Sequence, residues 1–170
     1  MKLTRRKVIF VGLGGAAALA AGWAVFRSPS VPARGAALVT THAAMLDALA
    51  YSVLGPALPA EREARDAALL RTAKAIGDLI DQLPPSTREE IGQLFGLLSI
   101  KPARALLGYS GEWNRESAVP IMSFMQSLRH SSLALKQQTY FALHDLVYGS
   151  FYSEPSAWQG SGYPGPPKLA

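Results

Sequence analysis

The chain has 170 residues, 49% apolar and 17% charged, which is too apolar for a disordered chain, too mixed for a multispan membrane protein, and sized for one domain. It has no cysteine, which excludes disulfides, thiolate metal sites, cysteine-ligated iron–sulfur clusters and a cysteine nucleophile. Five of its 17 basic residues (Lys2, Arg5, Arg6, Lys7 and Arg27) lie in the first 33 residues, where there is no acid, and the other 12 are balanced by all 12 acids. The net charge of +5 therefore belongs to a leader, and no nucleic-acid partner is expected.

Residues 1–33 read as an export signal. A basic stretch precedes the uncharged run 8–26, in which 10 of 19 residues are Gly or Ala. Thr4-Arg5-Arg6-Lys7-Val8-Ile9 resembles the twin-arginine signal, with Arg5 and Arg6 as its paired arginines and Val8 and Ile9 in the apolar positions. Phe10 departs from the Lys often found next. That route carries proteins already folded, and low hydrophobicity suits it. An ordinary secretory signal and a retained anchor remain open, because the run exceeds the usual signal core of roughly 7–15 residues and approaches the roughly 20 that span a bilayer. Val31-Pro32-Ala33 and Ala18-Leu19-Ala20 are the candidate cleavage sites.

Residues 34–170 predict an all-α domain, a bundle of about five helices. Thr40 or Thr41 can cap a first helix running to Leu54, with Leu46, Leu49 and Val53 on one face and Gly55-Pro56 as its stop. A second helix spans 61–83, with Leu69, Ala73, Ile76, Ile80 and Leu83 on one stripe, and ends at Pro84-Pro85. Ser86-Thr87-Arg88-Glu89 has the spacing of a capping box, in which the Ser hydroxyl and Glu carboxylate each satisfy a free backbone N–H. The third helix presents Ile91, Leu94, Phe95 and Leu98. The fourth opens near Ser117, has Pro120 in its first turn, and presents Ile121, Phe124, Met125 and Leu128. The fifth, 133–151, is apolar almost all round in its second half, as suits the centre of a bundle or an interface.

Two segments, 100–116 and 152–170, read as long irregular connections rich in Pro, Gly and aromatics. Their Trp113, Tyr152, Trp158 and Tyr163 can either cover the bundle ends or form a contact surface. Arg129 joins two apolar helices, where it can bind helix-end carbonyls or bridge subunits.

Catalytic signals are absent. None of the three histidines, His42, His130 and His144, has a helical metal-ligand partner. His144, one turn from both Tyr140 and Tyr148, reads as a core histidine. Gly12-Leu13-Gly14-Gly15 lies in the leader with no βαβ unit after it, and there is no P-loop or Gly-x-Ser-x-Gly. Glu89-Glu90 fits a cap better than an acid pair. The chain is therefore not expected to be an enzyme, and no metal or cofactor is expected in it.

The C-terminal half carries a recognisable pattern. Trp113 is followed by Phe124-Met125-Gln126-Ser127-Leu128-Arg129-His130-Ser131, a helix ending Val147-Tyr148-Gly149-Ser150-Phe151-Tyr152, then Glu154-Pro155, Trp158 and Gly162-Tyr163-Pro164-Gly165-Pro166-Pro167. Over about 110–167 this resembles the gluconate 2-dehydrogenase subunit 3-like family. These are small subunits of periplasmic FAD-dependent sugar and alcohol dehydrogenases of the glucose–methanol–choline type. Gly149-Ser150 and Gln159-Gly160-Ser161 depart from the family pattern.

The resemblance implies a non-catalytic subunit. Such a subunit helps a large FAD-containing subunit fold and carries it across the inner membrane through the twin-arginine machinery to the periplasm. A cytochrome c subunit can take up the electrons. Trp113, Arg129, Tyr152, Trp158, Tyr163, Gly165 and Pro166 are then the expected partner contacts. The competing expectation is a stand-alone periplasmic helical protein, anchored by its N-terminal helix, that scaffolds an envelope complex or binds lipid.

Overall fold

The computed structural model describes residues 34–165, the side chain of Gln159 excepted. Arg5, Arg6, the rest of the leader and Pro166 lie outside the described residues. The fold is all-α, with no strand among the described residues. Five helices form the body: α2 (Ala43–Leu54), α3 (Arg62–Gln82), α4 (Pro85–Ser99), α6 (Ala118–Arg129) and α7 (Ala134–Tyr152). Three shorter helices complete it: α1 (Gly35–Thr41), α5 (Lys101–Leu107) and the single turn α8 (Trp158–Ser161).

The core follows the apolar stripes. Leu46, Leu49, Ile76, Ile80, Phe95, Leu98, Ile121, Met125, Leu128, Leu143 and Val147 are all nearly inaccessible to solvent. The central helix is α2, which packs on α3, α6 and α7 and buries eight of its 12 residues. α7 packs against α3, α6 and α2 but keeps an open side. No single described helix is long and apolar enough to cross a membrane; α1 and the chain from Ala43 to Ala57 pass that test only together, and they are bent by 86°.

The local starts and stops have identifiable causes. Glu61 caps α3, its carboxylate accepting from the backbone N–H groups of Glu63 at 2.8 Å and Ala64 at 2.6 Å. Gly55, at φ 40°, ends α2, and Pro84-Pro85 ends α3. α1 lies so close to α3 that a Cβ on Gly35 would fall 2.0 Å from the Gly77 carbonyl oxygen. The Gly35 N–H donates to Asp81 Oδ1 at 2.8 Å and so holds the crossing.

Four sequence expectations need correction. The first helix is two, broken at His42, and Thr40 caps nothing: its hydroxyl donates back to the Ala36 carbonyl. The break has a tertiary cause, since the His42 ring meets the edge of Phe95 and its Nδ1 lies 2.8 Å from Ser99 Oγ. The capping box does not form, because Pro85 already occupies the first helical position and Ser86 falls inside the first turn. Glu89 instead accepts from Gln93 Nε2 at 3.3 Å. The connection 100–116 is not irregular throughout, since it contains α5, started by Pro102 and stopped by Gly108 at φ 110°.

Candidate partner interface

Trp113 lies half-buried on its own bundle. Its indole N–H donates to the Leu98 carbonyl at 2.9 Å, filling an acceptor left open near the end of α4. The ring lies 4.6 Å from Tyr109 and 6.4 Å from Phe124 between centroids. Arg104, only 4% exposed, holds this loop from beneath. Its Nη atoms donate to the carbonyls of Gly111 at 2.6 Å and Ser99 at 3.2 Å, and its guanidinium lies 5.8 Å from the rings of both Tyr109 and Trp113. Burial pushes the Tyr109 phenol above its ordinary pKa, so it stays a neutral donor to the Glu112 carbonyl at 2.7 Å.

A ladder of rings one helical turn apart runs along α7, from the buried Tyr140 out to half-buried rings on its open side. Tyr140, His144, Tyr148 and Tyr152 follow one another at centroid distances of 5.3, 4.4 and 5.9 Å, the last two pairs stacked. Tyr148 anchors the ladder, its hydroxyl donating to the Val53 carbonyl at 3.1 Å. Burial raises the pKa of that hydroxyl. His144 is not a core histidine. It sits half-buried in the ladder, with Nδ1 3.0 Å from Asp145 Oδ1. Phe141, beside the ladder and edge-on to Tyr140, is 49% exposed. Arg129, exposed in the last turn of α6, places its guanidinium 5.9 Å from the Tyr140 ring.

The tail continues this face. The Trp158 indole N–H donates to the Tyr152 carbonyl at 2.8 Å, closing the C-terminus of α7. Tyr163 meets Trp158 edge-on at 5.4 Å and is 50% exposed. Gly165, at φ 97°, passes across the indole, where a Cβ would lie 3.4 Å from Trp158 Cζ3. The structure thus joins Arg129, Tyr152, Trp158, Tyr163 and Gly165 through the ladder, and it places Trp113 in a separate cluster around Arg104.

Sequence reasoning missed a third cluster. Arg115 grips Asp47 of α2 with two bonds of 2.8 Å and reaches Asp66 of α3 with its remaining nitrogen. Its guanidinium lies 5.4 Å from the Tyr51 ring. The two carboxylates push the Arg115 pKa still higher, and the Arg115 bond holds Asp66 below the usual carboxylate range. The available signal was a lone acid, Asp47, inside an apolar helix.

Among the described residues no three His, Asp or Glu side chains gather in a way that could hold a metal. A groove of about 300 Å³ between α2 and α3 is lined by Leu46, Ala50, Leu69 and Ile76, with the Arg115 cluster at its mouth. The arrangement can bury aromatic area against another surface. Ser99 Oγ does lie 2.8 Å from His42 Nδ1, but the hydroxyl donates its proton to the Phe95 carbonyl at 2.8 Å. No protein-family model, curated protein or solved structure matches this chain.

Proposed function

We propose that the chain is a non-catalytic small subunit that binds a periplasmic FAD-dependent dehydrogenase of the glucose–methanol–choline type, helps it fold and escorts it across the inner membrane. The partner oxidises a sugar, sugar acid or alcohol and holds the FAD; this chain carries none. One observation supports the reading most: a row of aromatic rings, half-exposed from His144 through Tyr148 to Tyr152, runs along α7 and on into Trp158 and Tyr163. Rigid rings of this kind bring large contact area at small entropic cost and recur as binding anchors. They also fall within the stretch that carries the family resemblance. The leader motif at Arg5 and Arg6 supports export of a folded complex, and the aromatic face supplies what the passenger would grip.

A stable complex of this kind buries well over about 1,000 Å². The test is Phe141→Glu combined with Tyr163→Ala, two changes at exposed rings, in a C-terminally tagged chain purified from its own cells. The reading expects the wild-type chain to bring down a flavoprotein and the variant to lose it while keeping its helical spectrum. Retention of the flavoprotein at full yield by the variant overturns the α7 face as the interface.

A further inference from the structure

One end of the bundle combines exposed aliphatic side chains with cations and has no acid beside them. Leu106, near the end of α5, is 84% exposed, and Leu133, just before α7, is 59% exposed. Gly108 shows that these two ends meet. A Cβ on Gly108 would lie 3.9 Å from Ser127 Oγ in α6 and 4.0 Å from Lys136 Nζ in the first turn of α7. Arg129 and His130 are exposed at the same turn.

The surrounding charge is one-sided. From 117 to 143 the sequence has Arg129, His130 and Lys136 and not one Asp or Glu. Glu116 precedes the far end of α6, and Asp145 stands about 14 Å up α7 from Lys136 at the helical rise. Glu112 is held by Lys101 Nζ, at the opposite end of α5 from Leu106, at 2.7 Å. Among the described residues neither Arg129 nor Lys136 makes an ion pair.

Single exposed leucines are ordinary. Two exposed leucines at an end of the bundle that also carries Arg129 and Lys136, neither of them ion-paired among the described residues, match the chemistry of an anionic bilayer surface. Aliphatic side chains enter the boundary of the acyl layer, and cations meet lipid phosphates. We propose that this end of the bundle rests on an anionic membrane surface, with Leu106 and Leu133 entering the interface and Arg129 and Lys136 held at the headgroups. The contact takes Arg129, at the edge of the aromatic face, for the headgroups and leaves Phe141 and the rest of that face on α7 to a protein partner, and it stands whether or not the escort reading does.

The absence of cysteine makes the test direct. Leu106→Cys in the full chain is labelled with a polarity-sensitive dye, and Leu70→Cys, at a 73% exposed position on α3, is the control. Each is mixed with vesicles of phosphatidylglycerol and phosphatidylcholine, and with vesicles of phosphatidylcholine alone. The dye at 106 is expected to shift to the blue with the anionic vesicles only, and the dye at 70 to stay as in water. Adding Arg129→Gln and Lys136→Gln should weaken vesicle binding by about five-fold per cation removed.

Residues 1–33 are common to both labelled chains, so adsorption through them alone leaves both dyes in water, and that result overturns the proposal. A shift of equal size at both positions, or an equal shift with phosphatidylcholine alone, also overturns it.

Discussion

Replacing Trp113 with Ala tests whether this ring belongs to the domain's own core. A fully buried Trp→Ala change costs about 3–5 kcal/mol. Trp113 is half-buried, so about 2 kcal/mol of packing is lost with the ring. The Leu98 carbonyl also loses its donor, worth about 1 kcal/mol. The sum is about 3 kcal/mol. With an unfolding entropy of about 2.1 cal/mol/K per residue over about 130 residues, Tm should fall by about 11 °C. Trp113→Phe keeps most of the area and removes only the indole donor, so about 1 kcal/mol and about 4 °C are expected. Thermal unfolding of both variants followed by circular dichroism at a helical wavelength gives the answer. A Trp113→Ala variant within about 2 °C of the wild type would refute the packing argument, and it would return Trp113 to the set of partner contacts.

Other expectations follow from charge, backbone and export. Three carboxyls are held below their ordinary pKa: Asp66 by the Arg115 hydrogen bond, Glu61 by the backbone N–H groups of Ala64 and Glu63, and Glu112 by the Lys101 hydrogen bond. Their stabilisation is complete above the unfolded value of about 4 and is lost as pH falls through the folded values, so the urea midpoint should fall in acid, modestly because all three carboxyls are screened by solvent. Arg115→Gln should flatten that limb, and an unchanged acid profile would show the cluster to be unimportant. Burial lowers the His42 pKa, so an earlier, smaller loss should begin as pH falls below about 6.5, where the unfolded chain takes up a proton that the folded ring resists. Gly149→Ala, on α7 with open space around the new methyl group, should raise stability by about 0.5–1 kcal/mol in urea melts, and a loss would reveal an undetected contact. Arg5→Lys with Arg6→Lys should leave both this chain and its flavoprotein in the cytoplasm by cell fractionation, whereas periplasmic flavoprotein would remove the escort role.

How much the sequence shows varies along the chain, for physical reasons. Ile121, Phe124, Met125 and Leu128 are buried as their spacing predicts, because a stripe of three- and four-residue steps has only one way to leave water. The same rule places Leu94, Phe95 and Leu98 inside. The break at His42 escaped, because it comes from Phe95 and Ser99, more than fifty residues away, rather than from a local Pro or Gly. α5 escaped although its Pro102 start and Gly108 stop were visible, because seven residues give too short a stripe to read.

The Arg115 clasp joins residues 49 and 68 positions apart, and no local pattern encodes such a pairing. For the interface, the sequence supplied the aromatics but not their arrangement. It left open whether Trp113, Trp158 and Tyr163 cover the bundle. The structure ties Trp113 to Leu98 and Trp158 to Tyr152, and leaves Tyr163 half open. The ladder through His144 was missed, because a histidine between two tyrosines reads as core until the solvent-facing side of the helix is known.

The most direct test of the central claim is purification of the C-terminally tagged chain from its native periplasm in mild detergent, followed by an absorbance scan of the eluate. The account predicts a larger co-purifying protein with flavin bands, in constant ratio to this chain through gel filtration. A colourless chain that elutes alone, before and after crosslinking, would contradict it.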